Sequence, residues 1–404
     1  KGNFLDVPTD CPTRERLGWT GDAQVFFDTG AYLMDTAAFF RKWLRDMEDG
    51  QYKDGMVGGV VPFSGVEMMY KATGGSVGWA DAVYLVPYRF YKRFGDKELL
   101  RSCYPMMKKY ADTLLKRLEK DGHYEKGVHL GEWLEPEEFR DKVNGAQAKH
   151  PEECTAYLYL TMTTMAEIGE LLGENCDAYR AAAQRAKAVY PNYATLDTDR
   201  QAKLVRPLAL GLLEGEEKKM VQARLLRAVE NYNYRVGTGF MSTPFLLDEL
   251  TKAGDIETAY KVLLNTEKPG WLYEVTQGAT TVWETWEGYV GKGAVDKGDA
   301  GSLNHYSPGA VCQWLFDTVC GIRMDGENRF TIAPIPGGSL THAKANYHSL
   351  YGKVESFWER KERCTEFTVS IPVNTAATLI LPDGTHQELG PGVHSYTIIQ
   401  EEKL

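Results

Sequence analysis

Apolar residues recur at helical spacing from about residue 24 to about residue 316. One stripe is formed by Phe26, Phe27, Tyr32, Leu33, Ala37, Phe40, Trp43 and Leu44, and another by Ala82, Leu85, Val86, Tyr88 and Phe90. Further helices are predicted at about residues 98–119, 152–173, 177–190, 201–214, 216–231, 240–253, 255–265 and 305–320. About ten helices without intervening strands favour a solenoid or a closed ring of helical hairpins. The chain shows no fixed repeat period, which favours the ring.

The pattern changes near residue 321, and beyond about residue 330 apolar and polar residues alternate. Runs rich in β-forming residues cover 349–358, 366–372, 377–381 and 393–399, with a Pro-Asp-Gly turn at 382–384. We therefore predict two domains. A helical domain spans residues 1–321, and a small antiparallel β-sandwich with a packing role spans residues 322–404.

Composition excludes several classes of function. The 404-residue chain has a net charge of −10 and no basic run, which argues against a nucleic-acid partner. It contains no stretch of eighteen apolar residues, so no membrane span is predicted. Its seven cysteines are scattered without a CxxC pair and its eight histidines are dispersed, so we expect no disulfide framework, no metal and no cofactor. No signal peptide is visible, which slightly favours the cytoplasm, although a chain that starts at Lys1 without Met reads as a fragment.

The loop of residues 10–22, DCPTRERLGWTGD, carries the first candidate chemistry. Pro12, Gly18 and Gly21 break any regular element, so the carboxylates of the loop project from irregular backbone. A charged turn with local pairs such as Arg14 with Glu15 is the simpler interpretation. The Trp between two glycines favours a binding loop instead, since acidic groups and aromatic faces together suit a sugar.

A second acidic and aromatic stretch, QGATTVWETWEG, covers residues 277–288. If it is extended, Trp283 and Thr285 face one way and Glu284 and Trp286 the other. An amphipathic surface element is the alternative for this stretch alone. Paired with the N-terminal loop, it supplies a second carboxylate, and glycosidic bond hydrolysis needs two: one protonates the leaving oxygen, and the other activates water or attacks carbon. Burial beside Trp19 is expected to keep one carboxyl protonated.

Several motifs make the chain resemble the α-L-rhamnosidases of glycoside hydrolase family 78. The two most specific are DVPTDCPTRERLGWTGDAQVF at residues 6–26 and GATTVWETWEG at residues 278–288. The others are GWADAVYLVPYRFYKRFGD at 78–96, GEWL at 131–134, TAYLYL at 155–160, TGF at 238–240 and NHYSPGAVCQWLF at 304–316. The resemblance implies an (α/α)6 barrel with a C-terminal β-sandwich, an inverting mechanism and a rhamnose-containing oligosaccharide or glycoside as substrate. It also implies that the usual N-terminal β-domains of the family are missing from this chain.

The resemblance assigns roles residue by residue. Glu15 resembles the general acid and Glu284 the general base. The residues implied to contact the sugar are Asp10, Arg14, Trp19, Asp22, Trp79, Trp133 and His305. The chain departs from the family in three places: the loop has one acid fewer, Glu132 stands where an Asp is usual, and Pro308 replaces an aromatic residue.

Other functions are compatible with the same motifs. Another glycosidase or a disaccharide phosphorylase could use the same barrel, although a phosphorylase needs an anion site that is not obvious here. A non-catalytic carbohydrate-binding protein would have no need of an acid facing a base. The catalytic interpretation predicts that the carboxyl groups of Glu15 and Glu284 approach to roughly 6.5–9.5 Å across one cavity. The sequence leaves the aglycone and the oligomeric state open.

Overall fold

A computed structural model of the chain describes residues 2–63, 73–140, 149–286, 288, 301–326 and 328–399. The chain divides into two compact units. The first, called here the helical unit, comprises Lys1–Phe27, Ala38–Tyr88 and Lys97–Ala310; the second, the β unit, comprises Asp28–Ala37, Arg89–Asp96 and Val311–Leu404. The boundary at residues 321 and 322 stays a prediction.

The α-helices are α1 (Thr20–Leu33), α2 (Ala37–Asp49), α3 (Ala82–Phe94), α4 (Lys97–Arg117), α5 (Pro151–Leu172), α6 (Asp177–Val189), α7 (Gln201–Ala209), α8 (Gly215–Asn231), α9 (Thr243–Lys252), α10 (Ile256–Leu263) and α11 (Trp271–Thr276). Single 3₁₀ turns lie at Glu137–Phe139 and Tyr190–Asn192. In the described part of the chain, no helix combines the length and the apolar character that crossing a bilayer requires.

Local sequence explains where these helices begin and end. Pro151 opens α5 at a position where its missing N–H costs nothing, and Gly173 closes it in the left-handed conformation at a φ of 80°. The side chain of Asp255 caps α10 by accepting a hydrogen bond from the N–H of Thr258 at 2.9 Å. The observed ends of α5 and α10 lie within one or two residues of the predicted ends.

Four helix predictions were wrong in detail. The helix predicted at 201–214 ends at Ala209, and the chain continues in a turn. The first stripe is two helices rather than one, because the carboxylate of Asp35 accepts a hydrogen bond from the N–H of Ala37 and starts α2 afresh. The segment predicted as one helix at 305–320 is a 3₁₀ stretch at Ser307–Val311, one α turn at Cys312–Trp314 and a π turn at Leu315–Val319. Helix α11 was not predicted, since six residues are too few to show a periodicity.

The described residues of the β unit form eight strands: β1 (Ile322–Met324), β2 (Arg329–Ile332), β3 (His342–Ser349), β4 (Gly352–Arg360), β5 (Cys364–Ile371), β6 (Ala376–Ile380), β7 (His386–Leu389) and β8 (Gly392–Ile399). They form two four-stranded sheets, ordered β1-β2-β6-β7 and β3-β4-β5-β8. The predicted antiparallel β domain is confirmed, with one correction: β2 and β6 pair in parallel. Both sheets bury one face, to which Phe330 and Leu379 contribute from one sheet and Trp358 and Phe367 from the other.

Candidate active site

The loop of residues 10–22 closes on itself before α1 begins. The N–H of Asp10 donates to the carbonyl of Leu17 at 3.0 Å, and the N–H of Leu17 donates back to Oδ1 of Asp10 at 3.2 Å. Arg16 lies between them with a φ of 61°, a left-handed conformation that a non-glycine residue rarely adopts. This tight closure makes the intervening side chains, including those of Arg14 and Glu15, project from the loop.

Glu15 is held by two donors. Nε1 of Trp19 donates to its Oε2 at 2.7 Å, and Nη2 of Arg14 lies 3.1 Å from its Oε1. Its side chain is 30% exposed. The expected apolar contact with Trp19 is therefore a hydrogen bond from the indole, which fixes the direction of the carboxylate.

Glu284 is buried and held by Arg14 and by backbone. Nη2 of Arg14 lies 2.9 Å from its Oε1 and 2.7 Å from its Oε2, and the N–H of Ser302 donates to Oε2 at 2.6 Å. Its own N–H donates to the carbonyl of Ser302 at 2.9 Å. The two preceding residues are also fixed, since the N–H of Trp283 donates to the carboxylate of Glu274 and the carbonyl of Val282 accepts from His305.

The structure thus brings Glu15 and Glu284 together at a single guanidinium nitrogen of Arg14. Each carboxylate lies within 3.1 Å of that nitrogen, so their nearest oxygens are no more than about 6 Å apart. The two carboxylates come from opposite ends of the sequence of the helical unit. Two carboxyl groups this close can act on one bond.

Asp10, Asp22 and His305 form a buried group beside this pair. Nε2 of His305 lies 3.2 Å from Oδ1 of Asp22 and 4.0 Å from Oδ2 of Asp10, and the hydroxyl of Ser307 donates to Oδ1 of Asp22 at 2.6 Å. Burial raises the pKa of Asp10 to about 6 and, together with repulsion from Asp10, raises the pKa of Asp22 well above its ordinary value. Burial also lowers the pKa of His305 to about 3, so its imidazole is neutral.

The remaining predicted tryptophans lie around this site in different ways. Trp79 is 2% exposed and its indole lies against α1, since a Cβ added at Gly21 would come within 2.5 Å of its Cδ1. Trp133 is half-buried, and its carbonyl accepts a hydrogen bond from the N–H of Phe240 at 2.9 Å. The ring of Phe240 lies 5.0 Å from that of His305. Trp79 therefore packs against Gly21 near the start of α1, and the backbone of Trp133 holds Phe240, whose ring lies beside His305.

The alternation predicted for the second acidic stretch was wrong. Trp283 and Trp286 are both buried, at 6% and 3% exposure, because residues 284–286 form bends and a turn rather than a strand. Nε1 of Trp286 donates to the carbonyl of Thr238 at 2.8 Å. Glu287 lies outside the described residues. The two tryptophans thus anchor the segment on both sides of Glu284.

Sequence reasoning missed two supporting carboxylates. Oε1 of Glu132 accepts from the N–H groups of Gly239 and Ser242 at 3.1 and 2.8 Å, and its Oε2 accepts from the Ser242 hydroxyl at 2.7 Å and from Nη2 of Arg206 at 2.9 Å. Glu132 thereby holds the turn that carries Phe240. The only sequence signal for this role was that Glu132 stands where the family usually has an Asp. Glu274 lies in the short α11, and the sequence contained no signal for it.

Sequence reasoning also gave no candidate metal ligands, but the structure gathers one set among the described residues. A ligand atom from each of Asp10, Cys11 and His305 lies within 4.8 Å of the others, and all three residues are buried. The thiol of Cys11 donates to Oδ2 of Asp10 at 2.7 Å. This set overlaps the predicted sugar-binding residues.

The helical fold is that of a six-hairpin glycosidase domain, the predicted (α/α)6 class. Residues 1–319 match the family model described as the bacterial alpha-L-rhamnosidase 6 hairpin glycosidase domain, and residues 323–395 match the bacterial alpha-L-rhamnosidase C-terminal domain. The chain therefore belongs to the bacterial α-L-rhamnosidase family. The predicted resemblance and fold class are confirmed.

Individual relatives agree with this assignment. The chain is 33% identical to an alpha-L-rhamnosidase of Formosa agariphila, matching over 100% of this chain and 44% of the relative, and 33% identical to one of Streptomyces avermitilis, over 98% and 40%. A crystal structure of a Streptomyces avermitilis alpha-L-rhamnosidase complexed with L-rhamnose matches with a TM-score of 0.88 at 31% identity, covering 98% of this chain and 40% of that chain. The native enzyme from Aspergillus terreus also matches with a TM-score of 0.88, at 30% identity, covering 98% and 47%. The chain spans less than half the length of these relatives.

Proposed function

We propose that this chain hydrolyses terminal α-L-rhamnosides, with Glu15 as general acid and Glu284 as general base. The observation that supports the proposal most directly is the meeting of the two carboxylates at Nη2 of Arg14. The similarity to a structure complexed with L-rhamnose supports the choice of sugar. Residues 1–321 would form the catalytic domain, and residues 322–404 a β-sandwich with a packing role.

In the proposed reaction, Glu15 donates its proton to the glycosidic oxygen as the bond from that oxygen to the anomeric carbon breaks. Glu284 takes a proton from a water molecule, whose oxygen attacks the anomeric carbon from the opposite face and inverts it. The N–H of Trp19 and the guanidinium of Arg14 direct the Glu15 carboxylate. Asp10, Asp22 and His305 would bind sugar hydroxyls, because carboxylates accept and a neutral imidazole can both accept and donate.

The proposed inversion depends on the family resemblance, and the spacing of the carboxylates does not decide it. Inverting enzymes hold the two carboxyl groups roughly 6.5–9.5 Å apart, and retaining enzymes roughly 5–5.5 Å. Nearest oxygens within about 6 Å are compatible with both arrangements. Proton NMR of the first-formed sugar separates the two: an anomer opposite to that of the substrate supports inversion, and the same anomer contradicts it.

The activity is tested with a panel of aryl glycosides. We expect release of the aryl alcohol from the α-L-rhamnoside, without a requirement for inorganic phosphate, and a loss of at least about 100-fold in Glu15→Gln and Glu284→Gln. Glu362→Gln is a matched control, since Glu362 is exposed in the turn between β4 and β5. Full activity of both site variants would reject the mechanism, and hydrolysis of a different sugar alone would reject the specificity.

A further inference from the structure

Three different kinds of metal-binding atom converge at one side of the proposed sugar site. One ligand atom from each of Asp10, Cys11 and His305 lies within 4.8 Å of the others. Asp10 and His305 are 2% and 3% exposed, and Cys11 is fully buried. Asp22 lies at the edge of this set, with its Oδ1 3.2 Å from Nε2 of His305.

Acidic groups lie around this set. Asp10 and Asp22 are 2% and 3% exposed, and Oδ2 of Asp10 and Oδ1 of Asp22 lie 4.0 and 3.2 Å from Nε2 of His305. Nη2 of Arg14 donates to Sγ of Cys11 at 3.4 Å, and the same nitrogen also contacts Glu15 and Glu284. A divalent ion bound here would replace the Arg14 contact at Cys11 and place positive charge beside the two buried aspartates.

We propose that Asp10, Cys11 and His305 bind Zn²⁺ or Co²⁺, and that the bound ion inhibits the enzyme by occupying the place of sugar hydroxyls. The inhibitory part rests on the proposed rhamnosidase function. A thiolate with an imidazole selects these borderline ions over Mg²⁺ and Ca²⁺, which prefer oxygen ligands. On binding, Cys11 gives up its thiol proton to solvent, and the proton of His305 is placed on Nδ1, which has no hydrogen-bond partner among the described residues.

The distances need only small adjustments. An ion midway between Nε2 of His305 and Oδ2 of Asp10, which lie 4.0 Å apart, would sit at about 2 Å from each. The 2.7 Å separation of Cys11 Sγ from Asp10 Oδ2 has to open by about 1 Å to admit the longer bond from zinc to sulfur. A rotation of the Cys11 side chain supplies a movement of this size.

Cobalt titration tests the site without reference to activity. Addition of Co²⁺ to the chain should produce the near-ultraviolet charge-transfer band of a thiolate-bound cobalt ion, and Zn²⁺ should abolish the band. Cys11→Ser should lose the band, whereas Cys312→Ser should keep it, because Cys312 lies in the β unit. Binding should strengthen as the pH rises, since the thiol and the carboxyl groups release protons. Absence of the band, or its persistence in Cys11→Ser, would overturn the proposal.

Inhibition is measured separately. Zn²⁺ should compete with the aryl rhamnoside, and Cys11→Ser should raise the Zn²⁺ concentration for half inhibition by at least about 10-fold. If that variant does not fold, His305→Gln, with thermal unfolding measured with and without Zn²⁺, gives the second test: the stabilisation by Zn²⁺ should be lost. Inhibition that is not relieved by substrate contradicts the inhibitory role. A cobalt band in a chain without rhamnosidase activity would reject the proposed function and keep the metal site.

Discussion

Glu274, which holds the segment next to the proposed base, is predicted to make the stability of the protein depend on pH. Its Oε2 accepts the N–H of Trp283, the residue before Glu284, at 3.1 Å, while its Oε1 is buried without a hydrogen-bond partner. Burial raises the pKa of Glu274 from 4.5 to about 7, and the residue is 4% exposed. A carboxylate buried with a single donor is costly to ionise. The substitution Glu274→Gln keeps an acceptor for Trp283 and removes the ionisation.

The pKa values give the size and the sign of the effect. Below pH 4.5 the carboxyl is protonated in the folded and the unfolded chain. Between pH 4.5 and 7 the unfolded chain loses its proton while the folded chain keeps it, so the free energy of unfolding falls. The total loss is about 3 kcal/mol, at 1.36 kcal/mol for each tenfold change, and most of it falls between pH 5 and 8. Glu274→Gln should escape this loss.

Urea unfolding of both proteins at pH 5 and pH 8 provides the assay. The free energy of unfolding of Glu274→Gln, relative to the parent, should be more favourable at pH 8 than at pH 5 by about 2–3 kcal/mol. Glu267→Gln is the control, because Glu267 is exposed and its substitution should shift stability equally at both pH values. An equal difference between Glu274→Gln and the parent at pH 5 and pH 8 would refute the reasoning.

Three further substitutions test neighbouring contacts. Glu132→Ala leaves two backbone N–H groups and part of an arginine unpaired, and should lower the free energy of unfolding by about 3–5 kcal/mol in the same urea assay; a change below about 1 kcal/mol would contradict this. Trp19→Phe removes the indole donor to Glu15 and should lower kcat about 10- to 100-fold with an unchanged circular dichroism spectrum; an unchanged kcat would show that the bond is not needed. Gly21→Ala places a Cβ 2.5 Å from Trp79 and should lower Tm, although helix propensity alone predicts a rise.

The spacing of apolar residues in the sequence identified the helices that have a broad apolar face. It did not identify the elements that lack such a face. Helices such as α5 and α6 were located within a residue or two because their apolar spacing and end signals agree. Strand β3, with the sequence HAKANYHS, alternates apolar and polar residues, but two of its three apolar residues are alanines; β7 is exposed for three of its four residues. Neither segment is rich in the β-branched and aromatic residues that mark a strand, so both were missed.

The residues of the candidate site also fall into those that the sequence predicts and those that it does not. Glu15 and Glu284 stand in motifs with unusual local composition, which a single sequence reveals. The contacts of Glu132 with the turn near Ser242, and of Glu274 with Trp283, join segments by tertiary packing. Nothing in the spacing of residues encodes those contacts. Cys11 and His305 are likewise brought together by tertiary packing, and no local sequence motif for metal binding predicts it.

The two contacts between Ser302 and Glu284 involve only the N–H and the carbonyl of Ser302. Every residue except proline offers both groups, so these two contacts do not depend on a serine side chain. The hydroxyl of Ser302, however, donates to the carbonyl of Asn304 at 2.8 Å and accepts from the N–H of Asn304 at 3.2 Å, and Ser302 is 5% exposed. Directed evolution around the proposed base is therefore restricted at position 302 to small residues that keep a hydroxyl group.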